Sequence, residues 1–230
     1  MNYEGKGNIV MPRPETHATG RVISTFALQH LMAATLFARQ ASALERQNQG
    51  MPFGAFFEDI RSYVSGAIMC SAAALEANVN ELFIAHGGPL RCALPDFDTQ
   101  FWGKNRIEMK QILEKYQKAL KILGKTKLPQ NAQFFEDAQC LIDMRNSLVH
   151  FKPLWDPRRG KDVDILEKLQ NKFVLSSFCD EGADFISMKC MSHACAAWAV
   201  SATITFVREF AIASGLQDSF QPFMERLQVS

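Results

Sequence analysis

Neither sign of charge predominates in this chain: 25 Lys and Arg stand against 24 Asp and Glu over 230 residues. No whole-molecule field therefore advertises a nucleic-acid or membrane partner, and any charge argument has to be local. Long apolar runs are also missing. The best membrane candidate, residues 194–207, stops at Arg208 and Glu209, short of the roughly 20 residues that a span requires, and reads as a buried core helix with no membrane partner. Residues 1–20 lack the apolar stretch of about 7–15 residues found in a secretory signal and carry two prolines and three glycines, so they read as a flexible N-terminal tail. There is no phosphate-cradling glycine loop, no GxSxG and no HExxH, which removes the commonest nucleotide, serine-hydrolase and zinc-peptidase signatures. The six cysteines (Cys70, Cys92, Cys140, Cys179, Cys190, Cys195) are scattered through a chain too long to need disulfide staples. They read as reduced thiols of a cytoplasmic protein.

What is present is an ordinary globular composition, 47% hydrophobic and 21% charged, in which the helical period recurs and clean strand alternation does not. The apolar residues Val22, Phe26, Leu31, Leu36, Phe37 and Leu44 predict a helix over 21–49, ended by Gly50, Met51 and Pro52. Ile60, Val64, Ile68, Ala72, Leu75, Val79 and Phe83 predict a second over 53–86, with a small-residue middle suited to close packing. After a loop at 90–100, a third helix is expected over 102–123, its core stripe including Met109, Ile112, Leu113, Tyr116 and Leu120, with Gly124 at its C-terminal position. A fourth is expected over 131–151, stopped by Pro153. A short helix at 163–173, an ambiguous stretch at 174–185, a long helix at 187–213 and a short tail helix at 219–227 complete the pattern. The fold class is all-α, a single helical bundle over 21–230 with about five to six helices.

The fourth helix carries Arg145, Asn146 and His150 in an RNxxxH spacing. On the second, Glu76 and Asn80 are four apart and share a face, within the segment Ala73-Ala74-Leu75-Glu76-Ala77-Asn78-Val79-Asn80-Glu81-Leu82-Phe83. A carboxylate amid so many alanines needs a partner if it is buried, and Arg145 is the one to propose. These two segments, late and early in a helical bundle, resemble the HEPN superfamily over roughly residues 53–151. The resemblance implies a homodimer whose two-fold axis brings two arginines and two histidines around one cleft, with Arg145, Asn146 and His150 catalytic and Glu76 and Asn80 supporting. It implies metal-independent cleavage of RNA without a cofactor, in bacterial defence or a toxin-like stress response, and with it an antitoxin or regulatory partner protein. Many toxin members carry a Tyr two residues beyond the His, which a partner enzyme modifies; here that position is Lys152.

The residues speak to this chemistry without the family. Asn146 and His150 face the same way on a helix, whereas Arg145 and His150 lie about 140° apart, so one helix alone does not converge them. A self-complementary two-fold interface can. His150 suits general acid–base work on a ribose hydroxyl, since the unperturbed pKa of an imidazole is about 6.5. Arg145 suits a bidentate grip on the phosphate. The bland alternative is that His150 caps the end of its helix while Arg145 pairs with Asp143, Glu136 or Glu76.

Local charge points to a polyanion. Residues 102–127 hold eight basic side chains against two acids, and Lys110, Lys118 and Lys121 are RNA-binding candidates on that face. Lys152, Arg158 and Arg159 form a second candidate patch beyond the motif. Trp155 could stack a base. His30 and His86 read as structural, and Cys190, His193 and Cys195 lack the second ligand pair that a zinc site needs. The competing function is a catalytically silent module of the same fold that binds a partner protein or a nucleotide.

Overall fold

The computed structural model describes residues 24–103, 106–151 and 162–229. The expected tail at 1–20, Val22, and the patch residues Lys152, Trp155, Arg158 and Arg159 lie outside the described residues. Those described form helices and no strand: α1 (Ala27–Gln47), α2 (Phe56–Ile84), α3 (Pro89–Cys92), a π-helical turn (Asp98–Trp102), a 3-10 turn (Ile107–Met109), α4 (Ile112–Ile122), α5 (Gln133–Val149), α6 (Asp162–Leu169), a second π-helical turn (Phe185–Lys189), α7 (His193–Ser214) and a final 3-10 segment (Gln221–Leu227). The all-α bundle expected from the periodicity is the fold.

α2 and α7 form its centre, with α1, α4 and α5 packed around them. α1 lies against α2 through small residues: Ala27, Ala34, Ala38 and Ala41 are buried with Leu31. This differs from the expected stripe, because Phe26 and Leu36 are 57% and 51% exposed. Small residues on the contact face let the two backbones approach, Leu31 stays inside with them, and the exposed Phe26 and Leu36 stand off the contact. Gly66 shows how close the approach is, since a Cβ there would sit 2.8 Å from the Phe37 ring. The start of α1 is tied to the end of α2, where Glu81 Oε1 accepts from the Phe26 and Ala27 amides at 2.6 and 2.9 Å and so answers two amides left open at the helix start.

α7 begins at Ser192, whose hydroxyl oxygen accepts from the Cys195 amide at 3.1 Å and whose proton goes to Val174 O at 2.7 Å. The His193 amide donates to Glu45 Oε1 at 2.6 Å, and Nδ1 lies 3.0 Å from Ala38 O; the carbonyl only accepts, so Nδ1 carries the proton. The helix thus starts at 193, not 187, because residues 185–189 form their own turn, with Asp184 Oδ1 accepting from the Ser187 amide at 2.7 Å. α2 and α7 are long and apolar enough to cross a membrane by length and composition, and half or more of each apolar stretch is buried inside the bundle.

The expected helix over 102–123 is also shorter. Phe101 is buried in a ring cluster with Phe83 at 5.5 Å, Phe97 at 5.2 Å and Trp102 at 4.7 Å. Lys110 and Gln111 are extended, so α4 starts only at Ile112. Met109 consequently leaves the core stripe and is 67% exposed. The expected loop at 90–100 contains α3 and the start of the first π-helical turn. α4 ends as expected at Gly124, which has φ +68°, with the Lys125 amide bonded to Leu120 O at 2.9 Å.

Candidate functional site

Three helices meet at one polar junction, and Tyr116 of α4 sets its geometry. Its buried hydroxyl lies 2.9 Å from both Leu75 O and Asn78 Oδ1 on α2. Its ring makes edge contacts with Phe206 and Phe210 of α7 at 4.9 and 4.8 Å, each worth about 0.5–1.5 kcal/mol beyond burial. Asn78 continues the chain of bonds by donating to Ser219 Oγ at 2.7 Å. α4 is thereby locked onto α2 and α7, and burial pushes the Tyr116 hydroxyl well above its ordinary pKa.

One residue earlier, Lys115 is carried inward with it. Its side chain is 1% exposed, with Nζ donating to Asn80 Oδ1 at 3.0 Å and standing 3.7 Å from Glu76 Oε1. Glu76, 46% exposed, faces Arg145 of α5 from its other oxygen, at 4.0 Å from Nη2. Asn80, Glu76, Lys115 and Arg145 thus form one chain of polar contacts across α2, α4 and α5. The expected pairing of Glu76 with Arg145 is present at the edge of ion-pair range, and the nearer cation is Lys115. Sequence reasoning missed this residue. Counted among the basic stripe of 102–127, it is instead a buried partner, and the signal on its own helix is that Ile112 and Ala119, three residues before and four after it, are both buried.

Arg145 is 28% exposed on its side chain and Asn146 is half-buried, both about one turn before the end of α5. His150 is exposed and closes the helix, its amide donating to Asn146 O at 2.9 Å. Among the described residues no side-chain hydrogen bond or ion pair joins Arg145, Asn146 and His150 to one another. Val149 and Phe151 on either side of His150 are exposed apolar residues. Leu148 and Phe151 line a cleft of about 370 Å³ with Met191 and the Arg61–Glu58 ion pair.

A larger groove, of about 470 Å³, runs between α4 and α5. Lys110, Lys118, Lys121 and Lys127 line it, above a floor that includes Ile112, Phe135 and Ile142. The three lysines expected on this face therefore share one groove. Gln117, also on its wall, is spent on the fold: its amide donates to Leu128 O at 2.9 Å and accepts from Leu128 N at 3.0 Å.

The remaining candidates serve packing. His193 is held by Ala38 O, as above, and Cys190 and Cys195 are buried; burial pushes the Cys190 thiol up to about 12 and Cys195 upward as well. His30 sits 5.9 Å from the Phe26 ring. No group of three or more potential metal ligands occurs among the described residues. No protein-family model, curated protein or solved structure matches the chain.

Proposed function

We propose that the chain is a metal-independent endoribonuclease of the HEPN type, acting as a homodimer in RNA-directed bacterial defence or a toxin-like stress response. The observation that carries this reading is the exposed end of α5. An accessible imidazole at His150 and a part-exposed guanidinium at Arg145, steadied by Glu76, stand on successive turns of α5, and the turns of α5 before them carry Gln139 and Ile142 of the lysine-lined groove. In the reaction, one His150 takes the proton from a ribose 2′-hydroxyl, and the oxygen attacks the adjacent phosphorus. Arg145 neutralises the charge that builds on the phosphoryl oxygens as the fifth bond forms. The bond to the 5′-oxygen breaks, the second copy's His150 returns a proton to it, and the products are a 2′,3′-cyclic phosphate and a 5′-hydroxyl. The requirement for a 2′-hydroxyl restricts the substrate to RNA. Asn146 orients the imidazole or donates to a phosphate oxygen.

The Glu76–Arg145 contact also favours a second reading, a silent module in which Arg145 is a structural partner and the cleft or groove binds a protein or nucleotide. The test is incubation of purified protein with mixed RNA in EDTA, wild type beside Arg145→Ala and His150→Ala, with the product ends analysed. Cleavage by wild type alone, leaving cyclic phosphate, is the expected result. Cleavage retained in both variants refutes the assignment, and no cleavage by any intact dimer favours the silent module.

A further inference from the structure

The groove between α4 and α5 has a division of chemistry that a general basic surface lacks. Among its described lining residues Glu114 is the only carboxylate, against four lysines, and the exposed amides of Gln111 and Gln130 stand on its wall. From Ile112 to Lys121 the helical rise gives about 14 Å, and Lys110 lies in the extended residues before it, so the groove is too long for one phosphate and long enough for a short run of nucleotides. The lining discriminates strandedness. A duplex keeps its base edges paired and would touch only the lysine rim, whereas the unpaired base edges of a single strand can bond the exposed amides of Gln111 and Gln130 while its phosphates meet the lysines. The groove also has a direction, since Ile142 stands one turn of α5 before Asn146.

A second cavity, of about 400 Å³, adjoins it through the shared residues Gln130, Phe135 and Gln139. One of its two lysines is answered directly, Lys172 being bonded to Asp137, and the carboxylate of Glu136 also belongs to its lining. This neighbour is charge-balanced and supplies the internal comparison.

We infer that the α4–α5 groove binds the sugar–phosphate backbone of single-stranded RNA, with Lys118 and Lys121 on successive phosphates, and leads the strand toward the turn bearing Arg145 and Asn146. The inference takes its ligand class from the proposed ribonuclease reading, but it concerns binding and does not require cleavage. Lys110 and Lys127 extend the same track at its two ends. The charge-balanced cavity beyond Phe135 contributes no phosphate contact.

The experiment is fluorescence anisotropy of a labelled single-stranded RNA of about 12 nucleotides, within the site sizes single-strand binders use, titrated with the His150→Ala protein over a range of salt. The comparison is with the same protein carrying Lys118→Glu and Lys121→Glu, and with Lys168→Glu as control. Each phosphate contact contributes about 0.7 to the logarithmic salt slope for a single strand, so the paired substitution is expected to flatten the slope by about 1.4 and weaken binding about tenfold or more near 0.1 M salt. Lys168→Glu is expected to change affinity less than about twofold. Equal loss from Lys168→Glu, unchanged affinity in the paired variant, or equal affinity for a duplex of the same length would each overturn the groove assignment. Competition by inorganic polyphosphate as strong, per phosphate, as by unlabelled RNA would also overturn it, because bases would then add nothing. Failure of the ribonuclease reading looks different: wild type would bind the strand with the predicted salt slope and leave it intact.

Discussion

The contact between Glu76 and Lys115 is asymmetric, and the asymmetry makes a quantitative prediction. The ammonium is 1% exposed and the carboxylate 46%. Removing one partner of a buried pair is expected to cost about 3–5 kcal/mol because the other is left charged in a medium that cannot solvate it. Here that penalty can arise in one direction only. Glu76→Ala strands the Lys115 ammonium with Asn80 Oδ1 as its remaining acceptor among the described residues, so a loss of about 3 kcal/mol is expected. Lys115→Met keeps the length of the buried stem and removes the charge. Glu76 then keeps Arg145 at 4.0 Å and its share of water, so the loss is expected to stay within about 1 kcal/mol. For a chain of this size, about 3 kcal/mol corresponds to a fall in Tm of roughly 6–12 °C. The assay is urea or thermal unfolding of both variants beside wild type, completed by the double variant. In the double variant Lys115→Met should restore most of what Glu76→Ala loses, because the stranded charge is gone. If Lys115→Met proved the more damaging single change, or the double variant lost the sum of both, the Lys115 charge would not be what makes Glu76 necessary.

Other outcomes follow from the same contacts. Arg145→Ala should lower stability by no more than about 1 kcal/mol, as for a part-exposed pair, while abolishing RNA cleavage under the proposed function; unfolding and cleavage measured on one preparation separate the two effects. Burial raises the Glu45 carboxyl above its ordinary pKa, against the opposing pull of the His193 amide. Its contribution to stability is therefore fully present below the ordinary carboxylate pKa of 4.5 and is lost as pH rises through the elevated folded value. A difference in stability between wild type and Glu45→Gln that moves in favour of the variant as pH rises from acid is the expected signature, and no pH dependence in that difference would refute it. With a thiol reagent at neutral pH, exposed Cys92 should react first, whereas Cys140, Cys190 and Cys195, buried and with raised pKa values, should react only on unfolding. Mass mapping of labelled peptides checks the order.

How much of this was legible in the sequence depends on whether a residue's environment is made by its own helix or by another. Periodicity is a property of one helix, and it located α1, α2, α5 and α7 and the stop at Gly124, where φ +68° requires what glycine allows. It also placed Lys110, Lys118 and Lys121 on one face, because that face is defined by α4 and its entry. It failed where the decision lies across the bundle. The sequence between 104 and 123 holds no proline or glycine to interrupt a helix, yet the backbone leaves helical geometry at Lys110 and Gln111 after Phe101 and Ile107 have turned into the core. On α1 the contact face is chosen by Gly66 and the small residues of α2 opposite, so alanines go in and Leu36 goes out. Lys115 is the sharpest case. Within α4 it borders Ile112 and Ala119 of the inward face, but only the row Glu76 and Asn80 on α2, brought near by the Tyr116 hydroxyl, makes an inward ammonium tolerable. The candidate site divides in the same way. Glu76 with Arg145 was readable as a need for a partner, but Arg145 and His150 lie about 140° apart on α5 and no described side-chain contact joins them, so their convergence rests on the dimer of the proposed function.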